Sequence, residues 1–268
     1  MNRILKKFIY CLIFSLLFLS FTEYNCMAKS KSPKVKKPAV VPYETQDGFI
    51  LKGKFQYPKT SSDQKVKYPL IIMLHSLGYS SSDWGNLPSL LKNQGFAVLS
   101  IDLRGHGLSI YNTNFKVHTW QYLSKSDFLK YPEDIYEYLD YFFNKSKYQK
   151  FINKDKIIFI GSDIGANTSI LSTEKLKIKP KAFVLISPSL NFKNLYIPIT
   201  LANLGNVPIL GIASVKDRYS LNGLKEVKKY AQGNYDIKIC PYGPIGMTIL
   251  KYNPDLNNQI IKWCNLHK

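Results

Sequence analysis

Gly161-Ser162-Asp163-Ile164-Gly165 sets an aspartate between two glycines, each two residues away. Glycines so placed let the backbone turn sharply and let neighbouring segments come close. A carboxylate carried on such a turn can attack carbon, take a proton from water or ligate a cation. A second carboxylate, Asp217, stands just beyond another apolar run. The usual companion of such groups is a histidine, because imidazole exchanges protons near neutral pH. The four histidines are His75, His106, His118 and His267, so none lies between His118 and His267. Two carboxylates without histidine or further acidic neighbours make a thin metal site, and neither a metal nor another cofactor is expected.

These residues need a frame. Residues 69–74, 97–101, 156–160, 182–186, 207–213 and 235–240 are short apolar runs of the kind that forms strands covered on both faces. Helical spacing fills the intervals at 84–93, 131–143, 166–175, 221–231 and 254–266. Ahead of them, residues 43–57 read as a β-hairpin turning at Asp47-Gly48. The alternation predicts an α/β fold with a doubly wound, mainly parallel sheet and helices on both faces, whose ligands bind at the carboxyl ends of the strands. The longest unassigned stretch, 108–130, carries Tyr111, Phe115, Trp120, Tyr122 and Phe128. It either arches over a pocket or packs onto the domain.

The residues that follow the strands resemble the α/β-hydrolase superfamily over positions 43–268. His75-Ser76-Leu77-Gly78 is similar to the family's oxyanion loop, and Asp102-Leu103-Arg104-Gly105-His106-Gly107 to its Asp-x-Arg-Gly-His-Gly turn. The segment from Gly161 to Asn167 stands where the nucleophile elbow belongs, and Asp217 where the triad acid belongs. The resemblance is nearest to small dienelactone-hydrolase and acyl-esterase members, since only the short segment 187–206 occupies the place of a lid. It implies that the backbone amides of Leu77 and Ile164 are the oxyanion-hole donors and that His75 and His106 shape turns.

Two departures follow from that alignment. The elbow motif G-x-S-x-G presents a serine at a strand-to-helix turn, whereas here Asp163 holds the nucleophile position and Ser162 points away from the pocket. The triad histidine follows the last strand, and in the loop 241–247 its place is taken by Ile245. Haloalkane dehalogenases and epoxide hydrolases in this superfamily use an aspartate nucleophile, but the ester it forms needs a base to release it. His118 is the remaining candidate for a substitute base. At a helix N-terminus the Asp163 carboxylate is expected to stay ionised and to compete for the Leu77 and Ile164 amides. Asp102 and Arg104 are expected to form an internal ion pair. The sequence thus points to an exported, catalytically inactive homologue that binds a small-molecule or acyl ligand, or an envelope partner, through the old pocket or its basic surface. The alternative is a hydrolase of carboxylic esters or acyl groups with a rearranged site.

Arg3, Lys6 and Lys7 precede an apolar run over 8–21 and the small residues of Cys26-Met27-Ala28, the pattern of a secretory signal cut after Ala28. An uncleaved membrane anchor is the other reading, although the run is shorter than the roughly 20 residues that span a bilayer. A secreted or cell-envelope location follows. Residues 29–42 read as a Lys/Pro-rich linker. The net charge of +19 favours an anionic membrane or envelope surface as partner, and no recognition motif points to nucleic acid. Cys240 and Cys264 are expected as separate buried thiols. A helix from residue 253 to 264 advances roughly 16 Å, whereas bridged Cα atoms lie within about 7 Å.

Overall fold

The computed structural model describes residues 37–58, 66–176 and 179–268. The expected signal sequence and the expected linker up to Lys36 lie outside the described residues. The chain divides into Met1–Lys37 and Pro38–Lys268, and the second unit carries every element below.

Its strands are β1 (Ala39–Glu44), β2 (Phe49–Gln56), β3 (Tyr68–Leu74), β4 (Ala97–Asp102), β5 (Tyr111–Asn112), β6 (Ile152–Ser162), β7 (Ala182–Ile186), β8 (Asn191–Phe192), β9 (Leu195–Tyr196), β10 (Ile209–Ser214) and β11 (Tyr235–Cys240). The helices are α1 (Leu87–Asn93), α2 (Lys125–Leu129), α3 (Tyr131–Asn144), α4 (Ile164–Leu171), α5 (Pro198–Asn203), α6 (Arg218–Tyr230), α7 (Ile249–Tyr252) and α8 (Leu256–Leu266). The main sheet runs β1-β2-β4-β3-β6-β7-β10-β11, with β5 attached to β2. Pairing is antiparallel from β1 to β4 and parallel from β4 onward. Because β3 sits between β4 and β6, the chain leaves it first to one side and then to the other. The strand order reverses there, and the loops after β3 and β6 open a crevice.

The continuous apolar runs are explained by two cores. Leu70, Ile72 and Leu74 of β3 join a cluster with α3, α4 and α6, while Ile71 and Met73 join a second cluster with α1 and α8. Alternate residues of one strand therefore both need apolar partners. On β2, by contrast, buried and half-buried residues alternate.

The structure moves several boundaries. The sheet begins at Ala39, inside the predicted linker, because Ala39-Val40-Val41 pair with β2; Pro42 is tolerated there since β1 is an edge strand. The predicted helix 84–93 is a 3-10 turn, Ser81–Trp84, capped by Ser80, followed by α1. The stretch 108–130 packs onto the domain: β5 pairs with β2, α2 buries Phe128, and Trp120 stacks on His106 with ring centroids 5.9 Å apart. Trp120 also lies against Gly78 in the loop after β3. The segment 187–206 forms the β8-β9 hairpin and α5. Cys240 and Cys264 are free and buried. Among the described residues no helix is long and apolar enough to cross a membrane.

Candidate functional site

Asp163 sits between β6 and α4 with φ 55° and ψ −117°, a backbone conformation costly for any residue but glycine. The flanking glycines permit it. A Cβ on Gly161 would stand 2.5 Å from the carbonyl oxygen of Gly165, and one on Gly165 would run into the carbonyl oxygen of Leu74. The start of α4 is thereby pressed against the ends of β3 and β6.

That turn drives the Asp163 carboxyl inward, leaving the residue 6% exposed. The Leu77 amide donates to Oδ2 at 3.2 Å, the Ile164 amide lies close enough to favour the charged form, and Oδ1 is buried with no partner among the described residues. Burial pushes its pKa up to about 7, against the pull of the two amides and with a small push from the Asp217 charge. The expectation of a carboxylate ionised throughout the neutral range is thus corrected. Desolvation exceeds what two amides at the end of a short helix return.

Asp217 caps α6, its Oδ1 accepting from the Ser220 amide at 3.1 Å, and its Oδ2 is buried without a partner among the described residues. Ile245 is 42% exposed, and its carbonyl accepts from the Thr248 hydroxyl at 2.6 Å. Three buried hydroxyls that sequence reasoning missed pin the loop around it. The Gly246 amide donates to Ser187 Oγ at 2.8 Å, the Met247 amide donates to Ser76 Oγ at 3.1 Å, and Ser76 Oγ lies 2.8 Å from Ser162 Oγ. A Cβ at Gly246 would collide with Ser76 Oγ. Ser162 is thus fully buried, its hydroxyl bonded to Ser76 Oγ.

The structure does not bring His118 to either carboxylate. Its Nε2 lies 3.2 Å from Asn112 Nδ2, and its ring packs near Phe49 with centroids 5.8 Å apart, along β2 and β5. Among the described residues no three His, Cys, Asp or Glu side chains are grouped to hold a metal ion.

A glycine-flanked turn, two converging amides and a second carboxylate after β10 agree with the comparison of the sequence with family models. The model described as serine aminopeptidase, S33, matches residues 67–231, well over half of the chain. The chain belongs to this α/β-hydrolase family. The matched stretch contains Asp163 and Asp217 and ends before the loop that holds Ile245. No curated protein sequence matches the chain. Among solved structures, DcsB in complex with its substrate analogue superposes with a TM-score of 0.67 at 14% identity, covering 86% of this chain and 99% of that one. Acetyl xylan esterase from Paenibacillus sp. R4 gives 0.61 at 13% identity, covering 87% and 86%. The α/β hydrolase GrgF from Penicillium sp. sh18 gives 0.63 at 12% identity, covering 87% and 99%. At such identities the likeness is one of fold.

In this α/β hydrolase His75 and His106 build loops. His75 Nδ1 donates to the Ser76 carbonyl at 2.8 Å and Nε2 accepts from the Leu103 amide at 2.9 Å. His106 Nδ1 donates to the Arg104 carbonyl at 3.0 Å and Nε2 accepts from the Gly78 amide at 3.0 Å. Burial drives their pKa values down to about 4 and about 3. The expected Asp102–Arg104 ion pair is not formed. Asp102 accepts from the amides of Ser81 at 2.6 Å and Leu108 at 2.9 Å, so its oxygens are already engaged with loop backbone. Arg104 makes forked bonds to Asp134 at 2.8 and 2.6 Å and to Asp47 at 2.8 and 2.9 Å, with its guanidinium 4.5 Å above the Phe49 ring.

Proposed function

We propose that this α/β hydrolase is an exported, catalytically inactive homologue that binds a small-molecule or acyl ligand at the Asp163 turn. The observation that carries this reading is the Asp163 carboxyl itself: it takes up the Leu77 amide and lies against that of Ile164, where a substrate oxyanion would need them, and no imidazole reaches it. An acyl ligand is favoured because fold neighbours include an acetyl xylan esterase. The basic and apolar N-terminal pattern supports export, and N-terminal sequencing of the secreted protein should find Lys29 first.

One observation favours a second reading, an active ester or acyl hydrolase with a rearranged site. A carboxyl with a pKa near 7 is suited to take a proton from water as a general base. The two readings separate on p-nitrophenyl esters of short and medium chain. The inactive homologue gives no turnover above an Asp163→Ala variant. Turnover that rises with pH through about 7 and disappears in Asp163→Ala would establish the hydrolase.

A further inference from the structure

The opposite end of the sheet carries a different chemistry. Between residues 145 and 156 stand Lys145, Lys147, Lys150, Lys154 and Lys156 against one acidic residue, Asp155. Here β6 leaves register with β3: Asn153 pairs with Pro69, but Ile157 already pairs with Leu70. Residues 154–156 are therefore surplus to the ladder, and such a bulge re-aims the side chains it carries. The result is a cleft of about 1170 Å³ lined by Lys67, Lys147, Lys150 and Lys154, with Asp155 as its sole carboxylate. Measured along β3, from Pro69 opposite Asn153 past Leu74 opposite Gly161, it lies roughly 20 Å from Asp163 at about 3.3 Å per residue.

The four lysines form no ion pair among the described residues. Lys147 and Lys150 hold their ammonium groups 5.3 and 5.1 Å from the ring centroids of Tyr148 and Phe151, and Lys154 donates to Asn144 Oδ1 at 2.9 Å. Ring faces and an amide position these cations without neutralising them. Their charge is left for a ligand. All are lysines, compact point charges of the kind that binds phosphate without a fixed fork geometry. The cleft is concave and no large apolar side chain of residues 145–156 is exposed, whereas a bilayer surface is engaged by apolar side chains that insert.

We propose that this cleft binds a linear, phosphate-bearing polyanion. The site is independent of the Asp163 turn and holds whether or not that turn is catalytic. Binding of the full chain to fluorescently labelled inorganic polyphosphate tests it. Lys147→Glu with Lys150→Glu should weaken binding at least about tenfold and flatten its dependence on salt, because each lost contact releases fewer counterions. Lys225→Glu with Lys228→Glu, the same charge change on an exposed face of α6, should weaken it much less. The paired Gln variants at 147 and 150 repeat the test should the Glu pair shift the unfolding midpoint. Equal losses in the cleft and α6 pairs would reduce the effect to net charge and overturn the site. Polyglutamate bound as tightly as polyphosphate would overturn the phosphate assignment. Cleft-dependent binding confined to phosphatidylglycerol vesicles would make the partner a membrane instead.

Discussion

Two turns at the carboxyl end of the sheet, one after β4 and one after β6, are separated by a single strand and treat their polar groups in opposite ways. After β4, Asp102, Arg104 and His106 each spend their hydrogen-bonding capacity on a named partner. After β6, Asp163 keeps one buried oxygen unpartnered, and nearby Asp217 and Ser220 do the same. Buried polar atoms are nearly always satisfied, and although single unpartnered hydroxyl, amide and ring atoms occur elsewhere, among the described residues the two unpartnered carboxyl oxygens are those of Asp163 and Asp217. The first turn is scaffold, and the second is the one that leaves buried carboxyl oxygens for the proposed ligand.

The comparison is broken most severely at Arg104. Arg104→Ala would leave the buried Asp134 carboxylate without its two guanidinium bonds, and removing one partner of a buried pair costs about 3–5 kcal/mol. Urea unfolding should register a loss of that order, and Arg104→Lys should rescue little of it, because an ammonium cannot fork to both Asp47 and Asp134. A loss below about 1 kcal/mol, the range of surface pairs, would mean that the turn after β4 is not the scaffold its bonds imply.

Acidity separates the two turns next. The folded His75 stays neutral down to about pH 4, whereas an unfolded imidazole takes its proton near 6.5. Its contribution is therefore complete above pH 6.5 and is lost as the pH falls toward 4, a change on the order of 3 kcal/mol, with His106 acting in the same direction. Asp163 does the reverse. Its folded acid keeps the proton up to about pH 7 while the unfolded one releases it near 3.8, so raising the pH across that interval favours unfolding by a similar amount. Asp134, whose pKa burial raises to about 6, acts in the same direction as Asp163, so two carboxyl slopes oppose two histidine slopes and should leave the wild-type stability shallow between about pH 4 and 6. Asp163→Asn should uncover the histidine slope, being more stable than wild type at pH 8 and losing stability steadily on acidification. Parallel pH profiles for the two proteins would show that Asp163 titrates as an ordinary carboxyl.

Much of the scaffold was legible because its signals are local. The apolar runs gave β3, β4 and β7, and Gly161 with Gly165 marked the turn that carries Asp163. What stayed hidden depends on residues distant in the chain. Asp47 reaches Arg104 across 57 positions, and Met247 reaches Ser76 across 171; side-chain bonds of this kind leave no periodicity to read. The protonation of Asp163 was hidden for a related reason. A helix N-terminus is visible in sequence, whereas the depth of burial that outweighs it belongs to the packed fold. The start of β1 was masked by the lysines and prolines just before it, which look like linker until Val40 and Val41 find β2.

The smallest expected effect is the most informative about the turn after β6. Asp163→Ser together with Ile245→His places a hydroxyl on the strained turn and an imidazole in the loop after β11, while Asp217 remains to orient it. The serine would free the Leu77 and Ile164 amides for an oxyanion, and the loop is already fixed by Ser76 and Ser187 through the amides of Met247 and Gly246. A weak p-nitrophenyl acetate hydrolysis should appear in the double variant and in neither single one, since nucleophile and base act as a unit. Activity in the Ser variant alone would reveal a base other than position 245. Inactivity of the double variant, with its unfolding midpoint preserved, would place the fault in the pinned loop: the bonds that hold Gly246 and Met247 to Ser187 and Ser76 would then keep the imidazole of the variant from turning toward Asp217, and loosening them with Ser76→Ala should be what lets activity emerge.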